Sequence, residues 1–115
     1  MMNSVAQQKN IHGLVPVDPN SPKIQEVAAW ALNEHNKEQN GANLVYERVL
    51  KAEQELVDGV MYYIDLEASV NVSDGNMKIR NKYYAKVFEQ DWTDTLKLEE
   101  FKPLLQKNEG VAVAN

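Results

Sequence analysis

The side chains able to transfer protons or attack a carbonyl are few and poorly placed. The chain of 115 residues holds two histidines, His12 and His35, and no cysteine. A serine nucleophile would have to be Ser21, Ser69 or Ser73, and none of them stands in a complete G-x-S-x-G nucleophile elbow. Glu34 and His35 are adjacent, so on a helix they diverge rather than converge on one metal ion. Without cysteine there can be no disulfide framework, thiolate zinc site, CxxC redox pair or thiol nucleophile. Neither the dinucleotide-binding nor the P-loop glycine pattern occurs. This inventory argues against an enzyme, and no metal or cofactor is expected.

Charge and length narrow the field further. Twelve basic against seventeen acidic residues give a net charge of −5, which argues against a general binder of nucleic acid or of an anionic membrane. No stretch approaches the about 18 apolar residues of a membrane span, and residues 1–10 are polar rather than a basic-then-apolar secretion signal. A hydrophobic share of 43% is enough for one domain with a modest core. Asn71-Val72-Ser73 fits the acceptor pattern for N-glycosylation.

Periodicity sets the elements. Residues 14–17 form a short extended segment, and Asp18-Pro19-Asn20-Ser21-Pro22 makes a turn that leads into a helix, with Ser21 as its cap and Pro22 at its first position. Ile24, Val27, Ala28, Ala31, Leu32 and His35 fall on one face of that helix, which ends before Gly41. His35 reads as a histidine packed at the core rather than a general base.

Beyond the helix the period becomes 2. Val60, Tyr62, Ile64, Leu66 and Ala68 alternate with Met61, Tyr63, Asp65 and Glu67, as in a half-buried antiparallel strand. In residues 77–89, Met77, Ile79, Tyr83, Ala85 and Val87 face one way, and Lys78, Arg80, Lys82 and Lys86 the other. Residues 44–56 form a further strand whose alternation slips around Arg48-Val49, the sign of a bulge. Residues 96–101 form a last, shorter strand. The expected architecture is α+β, with one helix packed across a four- to five-stranded antiparallel sheet. Residues 1–12 and 105–115 read as flexible ends around a domain at 13–104.

Two features do not fit a core. Trp92 sits at a hairpin tip between Asp91 and Asp94, where its own domain offers it little to pack on. In Leu56-Val57-Asp58-Gly59-Val60, apolar residues run straight into a turn. The pattern leaves open whether they close the core or face outward.

These residues, in order, resemble the cystatin family, and its plant members in particular. Residues 27–36, Val-Ala-Ala-Trp-Ala-Leu-Asn-Glu-His-Asn, are similar to the plant helix signature LARFAVxEHN. Gly59-Val60-Met61-Tyr62-Tyr63 resembles the family's G-x-x-Y-Y. Tyr83-x-Ala85-Lys86-Val87 and Glu100-Phe101-Lys102-Pro103 are similar to its Y-x-A-K-V and EFKP runs. The resemblance implies a reversible, tight-binding inhibitor of papain-like cysteine proteases that wedges three segments into the active-site cleft. By position, the trunk glycine is Gly13, preceded by Ile11 and His12. The QxVxG hairpin is Glu55-Leu56-Val57-Asp58-Gly59, and the Pro-Trp hairpin is Asp91-Trp92. The resemblance also implies a monomer that can exchange its helix and first strand with a second copy, with 57–59 as hinge.

Three departures set acids where the family is nearly uncharged: Glu55 for glutamine, Asp58 for alanine or serine, and Asp91 for proline. An unpartnered carboxylate costs several kcal/mol to bury, and about 1.4 kcal/mol is a tenfold change in affinity. The expectation is therefore inhibition weakened by these charges. The alternative is a cystatin-fold storage or interaction protein whose wedge no longer inhibits.

Overall fold

The computed structural model describes residues 13–39, 43–72, 77–90, 93 and 95–104. Six elements follow in order: β1 (Val15–Val17), α1 (Pro22–Glu38), β2 (Val45–Val57), β3 (Gly59–Val72), β4 (Met77–Gln90) and β5 (Thr95–Pro103). The strands form one antiparallel sheet in sequence order, β1 to β5. The short segment before the helix is thus a fifth, edge strand, with Val15 opposite Gln54.

The helix starts where its chemistry dictates. Ser21 is extended, with ψ of 146°, and its Oγ accepts a hydrogen bond from the Ile24 N–H at 3.2 Å, while Pro22 takes the position that needs no donor. At the other end the Gln39 N–H donates to the His35 carbonyl. From the last turn of α1, the Asn36 side chain both donates to the Leu44 carbonyl and accepts from its N–H, which fixes the approach to β2.

One helical face is buried: Ile24, Val27, Ala28, Ala31 and Leu32. It packs on the inward rows of the sheet, Val49 and Ala52 of β2, Tyr62, Ile64, Leu66 and Ala68 of β3, and Ala85 and Val87 of β4. His35 is half-buried, and its ring stacks on Phe101 with centroids 4.2 Å apart; Phe101 in turn stacks on Tyr83 at 5.5 Å. Burial lowers the His35 pKa, against a smaller opposing pull from Glu38, so the ring is neutral at pH 7 and serves as packing.

The bulge expected near Arg48 is present, since the β2–β3 register shifts between Tyr46 and Arg48 and again between Val49 and Lys51. The apolar row assigned to β4 needs a correction. Met77 and Ile79 are 54% and 43% exposed, and the buried positions on this strand start only at Ala85. The first half of β4 lies at the end of the sheet that the helix does not cover, so alternation there no longer reports burial.

Ile64 is fully buried at the centre of this contact. Ile64→Ala is expected to lower the unfolding free energy by about 2–5 kcal/mol, measured by urea denaturation with an unchanged dependence on denaturant.

Candidate functional site

Sheet register brings three segments to one end of the molecule. The β2–β3 turn is as short as a hairpin allows, with Val57 paired to Gly59 and Asp58 alone at the tip. The ends of β4 and β5 lie beside it, because Val60 is opposite Glu89, Glu89 is opposite Leu96, and Gln90 is opposite Thr95. Gly13 precedes Val15 by two residues, on the side that leads past Gln54 toward the same end. Ile11, His12, Asp91 and Trp92 lie outside the described residues.

Gly59 is required twice over. Its φ is +133°, a conformation that L side chains rarely adopt. A Cβ at this position would also sit 2.5 Å from the Glu89 carbonyl oxygen and 2.9 Å from the Phe88 ring. The first hairpin therefore rests directly on the backbone of β4.

The question left open at Leu56-Val57 is answered by exposure. Leu56 is 60% and Val57 47% exposed, so they do not close the core. Leu14 and Val15 are exposed as well. Successive residues of a strand point to opposite faces, so Leu56 and Val57 present apolar surface on both sides of a thin edge.

The acidic residues at this end differ from one another. Glu55 is half-buried and accepts a hydrogen bond from the Tyr63 hydroxyl at 2.7 Å, and Lys86 Nζ lies 5.7 Å from the centroid of the Tyr63 ring. The bond to Glu55, with some burial, pushes the Tyr63 hydroxyl up to about 12. Glu55 is thus not the unpartnered charge that the sequence suggested: the strand twist and pleat bring it beside a tyrosine two rungs along. Asp58 is exposed, with no hydrogen bond or ion pair to another described residue.

Glu89 was missed by sequence reasoning. It is 7% exposed, on the inward face at the root of both hairpins. Lys23 Nζ of α1 lies 2.7 Å from its Oε2, and the Tyr62 hydroxyl donates to its Oε1 at 2.8 Å. Burial alone would raise its pKa, but the hydrogen bonds from Lys23 and Tyr62 and the Lys23 charge outweigh it and hold the carboxyl below its usual range. The signal was available, since position 89 continues the inward row of Tyr83, Ala85 and Val87. Asn71 is exposed near the end of β3, opposite Lys78.

One helix laid across five antiparallel strands is the cystatin fold. A salivary cystatin from the soft tick Ornithodoros moubata superposes with a TM-score of 0.67 at 16% identity, over 82% of this chain and 98% of that one. Sequence relatives make the assignment narrower. Cystatin-1 of Zea mays is 42% identical over 78% of this chain, and cysteine proteinase inhibitor A of Helianthus annuus is 40% identical over 73%. The matched region spans 94% of the sunflower protein but 62% of the maize protein, less than two thirds of its length. A family model described as SQAPI, aspartic acid proteinase inhibitor, matches residues 17–104. The chain belongs to the cystatin family, among its plant members.

Two outcomes follow from the site's geometry. Gly59→Ala is expected to destabilise the fold by more than about 1 kcal/mol, read by denaturation, because the backbone conformation and the Glu89 carbonyl both oppose a side chain. For Glu89, a folded-state pKa below the usual 4.5 means its contribution is complete above that value and is lost as pH falls through the folded-state pKa. The melting-temperature gap between the parent and Glu89→Gln is therefore expected to be constant at neutral pH and to close on acidification, as followed by thermal melts from pH 7 to 3.

Proposed function

We propose that this protein is a reversible, competitive inhibitor of papain-like cysteine proteases, inserting an N-terminal trunk and two hairpin loops into the active-site cleft. The observation that carries this reading is the exposed Leu56-Val57 pair on a hairpin whose Gly59 packs directly against β4. An apolar edge held rigidly in place loses little conformational entropy on binding, so more of the burial energy appears as affinity. The name of the sunflower relative, cysteine proteinase inhibitor A, supports the target class.

In this mechanism the edge fills the cleft without offering a peptide bond in line with the thiolate. Leu56 and Val57 cover the walls, Gly59 allows close backbone approach, and Gly13 lets the trunk bend along the cleft with Ile11 and His12 ahead of it. Asp91 and Trp92 supply the second hairpin, where the indole contributes a large flat contact. Of the acids, Glu55 enters with a hydroxyl already bound to it, whereas Asp58 must shed water at the tip.

Titration of active papain with the protein tests the reading. Stoichiometric loss of activity is expected; no loss at micromolar protein favours the cystatin-fold storage or interaction protein. Pepsin belongs in the same assay, because the matching family model is named for aspartic proteinases. Leu56→Ala is expected to weaken papain inhibition by about tenfold or more, from the apolar contact removed. Asp58→Ala is expected to tighten it by about tenfold at pH 7, where the carboxylate is charged, and Glu55→Gln to change it less. Size-exclusion chromatography of fresh and heated samples reads out exchange of the helix and first strand between copies through the 57–59 hinge, with the dimer fraction losing inhibition.

A further inference from the structure

Glu89 stands out because nothing in the binding reading uses it. Its neighbours on the inward row of β4 are Ala85 and Val87, both fully buried, and a third apolar residue would extend the core. Its carboxylate is buried while the Lys23 side chain is half-exposed, and a carboxylate taken out of water in such a pair is often no more stabilising than an apolar side chain in its place. What it adds is direction, since each contact holds only at one distance and angle.

Those contacts reach three elements. One carboxylate oxygen is held by Lys23, which sits in the first turn of α1 between the Pro22 start and the buried Ile24. The other is held by Tyr62 of β3, three residues beyond Gly59. The backbone of Glu89 itself faces the first hairpin, its carbonyl oxygen occupying the space beside the Gly59 Cα, and it pairs with Val60 on one side and Leu96 on the other. Gln90, the next residue, is the last of β4.

Of the other ion pairs between described residues, Lys37–Glu34 lies within α1, Lys97–Glu99 and Lys102–Glu100 within β5, and Arg48–Glu67 and Lys78–Glu47 join strands. Lys23–Glu89 joins the helix to the sheet, at the end where the hairpins meet.

We infer that Glu89 is a positioning residue: through Lys23 and Tyr62 it sets the separation of the two hairpin edges against the fixed start of α1. A rigid helix end then acts as the reference from which both loops are spaced, and the wedge keeps its shape before it meets a target. The affinity consequence rests on the inhibitor reading; the spacing itself does not.

The decisive variant replaces the pair by apolar side chains, Lys23→Met with Glu89→Leu. Its melting temperature is expected to stay level with the parent or rise, while its inhibition constant for papain rises about tenfold, mainly through faster dissociation. In the free protein, amide hydrogen exchange at residues 57–60 and 90 is expected to quicken, with exchange at residues 64–68 unchanged. Glu67→Gln is the control. It removes a carboxylate that pairs with Arg48 at 3.0 Å away from the hairpins, and it is expected to leave both the inhibition constant and exchange at 57–60 as they were.

An inhibition constant that merely follows melting temperature across these variants, or exchange at 57–60 unchanged in the double variant, overturns the inference. Should the double variant not fold, Glu89→Gln is read by the same two measurements with the same criteria. If the parent does not inhibit papain at all, the inhibitor reading fails and the exchange measurement alone decides the spacing role.

Discussion

A single helix has to cover the inner face of a five-stranded sheet, and the small residues at their contact make that cover close. Ala28 and Ala31 on the helix meet a surface that includes Ala52, Ala68 and Ala85, while Val27, Ile64, Leu66 and Val87 fill the space between. Truncated side chains on both surfaces let the two backbones approach, and the larger ones lock their relative position. Once α1 is fixed in this way, the inward rows of β2, β3 and β4 are fixed, and with them the side to which each outward residue points. The uncovered start of β4 marks the limit of this reach: Met77 and Ile79 keep the alternation of a core strand without a core to face.

The same constraint explains where binding surface can exist. With one helix laid on one sheet, the proposed binding surface lies at the rim where strands turn. The one-residue turn at Asp58 leaves Leu56 and Val57 uncovered because the strands end there and the helix start is occupied by Lys23 and Ile24. Exposed apolar residues on a hairpin edge invite association. Gly59, having no side chain, lets that edge pack directly against the Phe88 ring and the Glu89 carbonyl.

Local patterning in the sequence was enough to find α1, the bulge in β2 and the long β3, because each depends on neighbours within a few residues. Ser21, Pro22 and the 3.6-residue apolar period specify the helix with no help from the sheet. The Leu56-Val57 pair was legible as a problem but not as an answer, since exposure depends on what lies across the sheet. Glu55 and Glu89 were legible as charges but not as partners. Tyr63 and Lys23 lie 8 and 66 residues away from them in the chain, and the pairings exist only once register and helix placement are set. The edge strand β1 was read as a bare extended segment for the same reason: three residues carry too little alternation to announce a strand, and pairing with β2 makes them one.

The net charge of −5 therefore says less about this edge than the fate of each carboxylate does. Glu89 is buried with both oxygens satisfied, and its charge is part of the fold. Glu55 is shared with a tyrosine whose proton it holds in place, so its charge is already partly solvated by the protein. Asp58 has solvent alone among the described surroundings, at the point that would enter a cleft first. Three acids at one end of a sheet thus carry three different desolvation costs, and the cost that binding must meet falls on the one at the tip. A target with a cation opposite that tip would convert the cost into attraction, and a target without one would meet it in full. On the proposed inhibitor reading, Asp58 is thus the charge that a target meets in the open, on a hairpin whose Gly59 no side chain replaces without strain.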